Sequence, residues 1–199
     1  KKLKNYTQAM VDFNKALKFK KHEFIYINRG NVYSELKNYN AAINDYTKAI
    51  ELNPNFAAAY GNRGSAYGNL GDYKQAINNY SEAIEFDPND ADVYYNRGIA
   101  YKRLGKYNQA VADFNKAILL NPNFSKAYNN RGLVYDELGD IKQAITNYNR
   151  AIELNPNFAE AYNNRGNAHS DLGDYNQAIA DFNKTIEINP NLAEAYNNR

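Results

Sequence analysis

The sequence predicts an all-α fold in which helix-turn-helix hairpins stack side by side into a solenoid. Three observations predict it. Asn-Arg pairs ending at Arg29, Arg63, Arg97, Arg131, Arg165 and Arg199 recur every 34 residues. Pro54, Pro88, Pro122, Pro156 and Pro190 keep the same interval of 34. Between these marks, apolar and small residues return at three- and four-residue steps, the stripe of an amphipathic helix. A fixed period of this length marks a repeat array, in which a unit buries its apolar face only against its neighbours.

The elements follow in order. In residues 1–22, Tyr6, Ala9, Phe13 and Ala16 match the second helix of a preceding repeat, and Lys21 stands in the linker where Pro is expected. Five complete repeats are expected at 23–56, 57–90, 91–124, 125–158 and 159–192, and 193–199 opens a further first helix. In the second repeat, Tyr60, Gly64, Tyr67 and Leu70 form the stripe of the first helix. Gly71-Asp72 supplies the turn, since Gly takes backbone angles that other residues resist. Ala76, Ile77, Tyr80, Ala83 and Ile84 form the stripe of the second helix. It ends at Asp87-Pro88-Asn89, because Pro disfavours helical geometry in the residue before it. Gly64 and Ala76 let the two helices approach closely, and Tyr67 and Tyr80 fill the space between them. Lys37 and Lys106 alter the turn positions of their repeats. The whole is expected to be one continuous array and, with no polar capping helix at either end and no initiator Met, a piece of a longer one.

Composition excludes several function classes. The chain has no Cys, which removes disulfides, thiolate nucleophiles and thiolate metal sites. His22 and His169 are the only two histidines, and no Ser-His-Asp order, metal-ligand spacing or phosphate-cradling Gly-rich loop is present. Neither a catalytic residue nor a metal or cofactor is expected. His169 reads as a packing replacement for Tyr. No run approaches the roughly 20 apolar residues of a membrane helix, so no membrane insertion is expected. Residues 1–22 hold seven Lys against Asp12, while the remainder holds 17 basic and 21 acidic groups. The Lys-rich start is either a solvated helix face or a basic docking patch. The acidic body argues against a nucleic-acid partner, which would need a basic face throughout.

The residues at Tyr60, Gly64, Tyr67, Ala76, Tyr80, Ala83 and Pro88, repeated with few changes in the other four units, resemble the tetratricopeptide repeat. That family's pattern is Trp-x2-Leu-Gly-x2-Tyr, Ala-x3-Phe and Pro on a 34-residue period. Two departures recur: Tyr replaces the first Trp, and Arg replaces the Leu before Gly. The resemblance implies a right-handed α-α superhelix whose first helices line a concave groove, with repeat positions 2, 5, 6, 9, 12 and 13 turned inwards.

Those positions supply the candidate site. Position 6 is Asn28, Asn62, Asn96, Asn130, Asn164 and Asn198. Asn is a mediocre helix former, whereas its carboxamide offers an acceptor and two donors that can bracket a peptide unit. The row resembles the asparagine ladder of the O-linked N-acetylglucosamine transferase superhelix. The alternative is plain inheritance from one copied repeat, in a chain with 34 Asn. Tyr95, Ile99 and Leu133 form either an apolar anchor in mid-groove or part of the seam between repeats. Lys102 and Arg103 follow one turn on, whereas Asp136, Glu137 and Asp171 make the later repeats acidic. Some family members hold a terminal carboxylate through Lys at position 5 and Arg at position 6; this chain has neither, so no such clamp is expected. The repeated Arg is expected to pair with Asp45, Asp113 or Asp181, or with Asn79 or Asn147, across its own hairpin; a ligand-contacting Arg row is the alternative.

The expected function is an interaction scaffold that binds a protein or an extended peptide in the groove. Two alternatives stay open: a substrate-recruiting arm of a larger enzyme such as a glycosyltransferase, or a self-assembling array joined through exposed repeat ends.

Overall fold

The computed structural model of the chain describes residues 2–198; Lys1 and Arg199, both read above, lie outside the described residues. All its regular structure is helical: α1 (Lys2–Phe19), α2 (Glu23–Glu35), α3 (Tyr39–Leu52), α4 (Ala57–Asn69), α5 (Tyr73–Phe86), α6 (Ala91–Arg103), α7 (Tyr107–Leu120), α8 (Ser125–Glu137), α9 (Ile141–Leu154), α10 (Ala159–Asp171), α11 (Tyr175–Ile188) and α12 (Ala193–Asn198).

Local chemistry sets where these helices start and stop. Gly71, Gly105, Gly139 and Gly173 take φ between +69° and +82°, and Lys37 takes φ +59° at the matching place. This left-handed residue lets the chain bond back onto the helix it leaves. After α4, the Gly71 N–H donates to Gly68 O at 3.0 Å and the Asp72 N–H to Tyr67 O at 3.0 Å, a Schellman-type closure of otherwise orphan carbonyls. The next residue then caps the second helix. Carboxylate or carboxamide oxygens of Asn38, Asp72, Asp140 and Asp174 accept from backbone N–H groups three residues on, at 3.1–3.4 Å, the usual service of an N-cap side chain. Lys106 precedes α7 without a side-chain cap.

Contacts divide the chain into two compact units, Lys1–Leu104 and Gly105–Arg199. In the first, α2 pairs with α3 and α4 with α5; α1 packs on α2, α3 on α4, and α6 on both α4 and α5. In the second, α8 pairs with α9 and α10 with α11; α7 packs on α8, α9 on α10, and α12 on α11. One cluster centres on Ala42, Tyr46 and Ala49, a second on Ala76, Tyr80 and Ala83, and a third on Ala144, Tyr148 and Ala168. Each of these cores joins a hairpin to the first helix of the next, as an array of nearest-neighbour contacts requires.

Glycine in the first helix makes room for the aromatic ring of the second. A Cβ at Gly132 would lie 2.6 Å from Tyr148 Cε1, and one at Gly30 2.7 Å from Tyr46 Cε1. These contacts are far inside van der Waals range, and both rings are buried. The small residue and the large ring are therefore one packing unit.

Candidate functional site

The first helices of unit 1 form a row, since α4 touches both α2 and α6. Two clefts, each of about 330 Å³, open along this row. The first lies between Asn31, Ser34 and Glu35 of α2 and Asn62 and Ser65 of α4, with Tyr46 behind. The second lies between Ser65 and Asn69 of α4 and Asn96, Ile99 and Arg103 of α6, with Tyr80 behind.

The asparagine row is one sequence position but several chemical states. Asn62 Nδ2 donates to Asn31 Oδ1 at 3.0 Å, and Asn31 Oδ1 also accepts from the Tyr46 hydroxyl at 2.8 Å. Asn198 Nδ2 repeats the arrangement with Asn167 Oδ1 at 3.0 Å. In both cases position 6 of one repeat bonds to position 9 of the repeat before it. Position 9 is Leu133 in the fourth repeat, and Asn164 Nδ2 turns instead to Asn129 Oδ1 at 3.0 Å. Asn130 Nδ2 donates within its own helix to Lys126 O at 3.1 Å. Asn28 and Asn96 make no hydrogen bond to the described protein, Asn28 being exposed and Asn96 half-buried. The carboxamides of Asn62, Asn164 and Asn198 thus join adjacent repeats, while those of Asn28 and Asn96 keep all their donors and acceptors.

The apolar trio is distributed between the units. Tyr95 and Ile99 belong to α6 of unit 1; Tyr95 is half-buried, and burial, followed by the charge of Asp92, raises the pKa of its hydroxyl above the usual phenol range. Leu133 belongs to α8 of unit 2, where it packs against Ala144, Tyr148 and Ala168. Lys102 is half-buried and Arg103 exposed. In unit 2, burial, then the charges of Asp171 and Glu137, push the Asp136 carboxyl above its usual range.

The repeated Arg is held within the array. Arg29 makes a two-pronged contact with Asp45, Nε to Oδ2 at 2.7 Å and Nη2 to Oδ1 at 2.6 Å, and Arg165 does the same with Asp181 at 2.9 and 2.6 Å. Arg63 and Arg131 donate through Nε to Asn79 Oδ1 at 2.6 Å and Asn147 Oδ1 at 2.7 Å. The hydrogen bond to Asp45 pushes the Arg29 pKa up, while burial pushes that of Arg131 down.

A second Arg contact was not read from the sequence. Nη1 reaches back to the second helix of the preceding repeat: to Asn14, Thr47, Ser81, Asn115 and Asn149 from Arg29, Arg63, Arg97, Arg131 and Arg165, at 2.6–3.1 Å. A tyrosine three residues earlier (Tyr26, Tyr60, Tyr94, Tyr128 or Tyr162) lies 5.3–5.7 Å from each guanidinium, within cation–π range. The available signal was a polar residue at period 34 in the second helices.

Among the described residues, no group of three His, Cys, Asp or Glu is arranged to hold a metal ion, and no helix is long and apolar enough to cross a membrane. What the first-helix face offers is hydrogen bonding and shallow clefts, the equipment of recognition.

The tetratricopeptide repeat family matches residues 24–56, 91–124 and 159–192, and related repeat families match 45–78 and 114–146, and 69–105 and 135–173. A search of curated proteins finds no match. Among solved structures, MamA is 28% identical with a TM-score of 0.76 over 83% of this chain and 96% of its own. YrrB, described as a TPR protein with an unusual peptide-binding site, is 26% identical with a TM-score of 0.74, over 93% of this chain and 96% of its own. A thermophilic TPR protein of Thermus thermophilus is 23% identical with a TM-score of 0.69, over 87% and 95%.

Proposed function

The chain belongs to the tetratricopeptide repeat family of protein-interaction scaffolds, and we propose that it binds an extended peptide along its first helices. The observation that carries this reading is the pair of unpartnered carboxamides, Asn28 and Asn96, on the same row of helices as two clefts. A carboxamide can donate to a peptide carbonyl and accept from a peptide N–H at once, so such groups grip backbone irrespective of side-chain sequence. Asn62 contributes through the lone pairs and the N–H that its bond to Asn31 leaves over. Ile99 and Tyr95 supply apolar surface, and Lys102 and Arg103 supply positive charge. In unit 2, Asn130, Asn164 and Leu133 occupy the corresponding repeat positions, and we assign them the same role. The peptide-binding description of YrrB supports this choice of ligand class.

The test uses fluorescein-labelled octapeptide pools, acetylated and amidated at their ends, read by anisotropy. Asn28→Ala combined with Asn96→Ala weakens pool binding about five- to hundredfold, since each neutral hydrogen bond contributes about 0.5–1.5 kcal/mol. The melting temperature does not fall, because neither side chain bonds within the protein and Ala is the better helix former. Equal binding by the double variant and the wild type removes the carboxamide row from the mechanism.

A further inference from the structure

Gly68 lies in the last turn of α4, and neither packing nor backbone conformation demands a glycine there. A Cβ at this position would meet Ala76 Cβ and the Tyr80 hydroxyl at 3.9 Å, ordinary contact distances. The situation differs from Gly64, where the added Cβ would lie 2.9 Å from the Tyr80 ring, and from Gly71, whose φ is +82°. Glycine within a helix is less favourable than alanine. At Gly68, the missing side chain widens the cleft between α4 and α6, whose lining includes Gly68 itself.

The chemistry of that lining is lopsided. Two of its three hydroxyls and one of its carboxamides are already engaged: Ser65 Oγ donates to Gly61 O at 3.1 Å and accepts from the Tyr80 hydroxyl at 3.2 Å, while Asn69 Nδ2 donates to Ser65 O at 2.9 Å. Asn96 is unengaged. Ile99 and Ala100 supply an apolar wall. The one formal charge in the lining is the Arg103 guanidinium, which has no ion-pair or hydrogen-bond partner in the described protein. An apolar or cationic side chain seated there would desolvate that guanidinium without compensation, whereas a carboxylate would pair with it.

We propose that this cleft is a side-chain pocket that takes an acidic residue of the bound peptide. The longer apolar stem of glutamate suits the Ile99 and Ala100 wall, and its carboxylate meets Arg103. The adjoining peptide unit then falls to Asn96. The pocket gives sequence preference to a face whose carboxamides read backbone alone, and the inference rests on the groove reading above.

The test again uses octapeptide pools with blocked ends, each with one central residue fixed as Glu, Gln, Lys or Leu. Wild-type protein binds the Glu pool about two- to fivefold tighter than the Gln pool at low salt, the scale of an exposed ion pair. Arg103→Gln brings that ratio to about one. Gly68→Leu, which fills the cleft from within, also brings it to about one; Gly68→Ala serves as the folding control. Equal wild-type affinity for the Glu and Gln pools overturns the pocket and leaves the groove standing. A Glu preference that survives Arg103→Gln also overturns it. Failure of every pool to bind overturns the pocket and the groove together.

Discussion

Tyr148 holds a hydroxyl that the fold does not use. The side chain is fully buried, and its Oη has no hydrogen-bond partner in the protein. The equivalent hydroxyls in the first two repeats are satisfied: Tyr46 donates to Asn31 Oδ1 at 2.8 Å and Tyr80 to Ser65 Oγ at 3.2 Å. The difference lies at the ninth position of the repeat, which is Leu133 in the fourth. The third and fifth repeats carry Phe114 and Phe182 at the ring position, both buried, so the site accepts a ring without oxygen. Tyr148→Phe therefore keeps the packing and removes an unsatisfied buried polar atom, stabilising the protein by about 1–3 kcal/mol. Tyr46→Phe deletes a made hydrogen bond and costs about 0.5–1.5 kcal/mol. It falls at the lower end because Asn31 Oδ1 still accepts from Asn62. Urea unfolding followed by circular dichroism at a common slope measures both. The two changes are expected to have opposite signs. Equal destabilisation by the two would refute the argument that the missing partner, and not the ring, sets the energy.

Other substitutions probe the local rules. Lys37→Gly is expected to stabilise by about 1 kcal/mol because Lys37 sits at φ +59°, a region costly for residues with a Cβ. Lys106→Asp is expected to add about 1 kcal/mol by supplying α7 with the cap that the other second helices have; no gain in melting temperature from either variant counts against this account of the turns. Gly132→Ala is expected to cost about 1–3 kcal/mol through overpacking on the Tyr148 ring, 2.6 Å away, and denaturation midpoints unchanged from wild type contradict it. The Asp136 carboxyl has a raised pKa, so its contribution to stability is present at acid pH and is lost as pH rises through the folded value. Asp136→Asn thus stabilises at pH 7 by only a few tenths of a kcal/mol, since the group is partly solvated. The gain disappears below about pH 4, and melting curves at both pH values decide it.

The hairpins were legible in the sequence because their causes are local. Helix stripes, the glycine turns after the first helices and the Asn or Asp caps of the second depend on residues within four or five positions of one another. A period of 34 then repeats the result. The Arg–Asp pairs were legible too, being 16 residues apart across one hairpin. What each asparagine of the row does was not legible, because its partner lies 31 or 35 residues away on another repeat. The six residues look alike in sequence. Asn62 and Asn164 are engaged and Asn96 is not, because the helices beside them present Asn31 and Asn129 in one case and Ser65 in the other. The same holds for Tyr148, identical in sequence terms to Tyr46, which is left without a partner by a leucine on the facing helix. Periodicity specifies the backbone; only the apposition of diverged neighbours decides which polar groups are used up in holding it and which remain for a ligand.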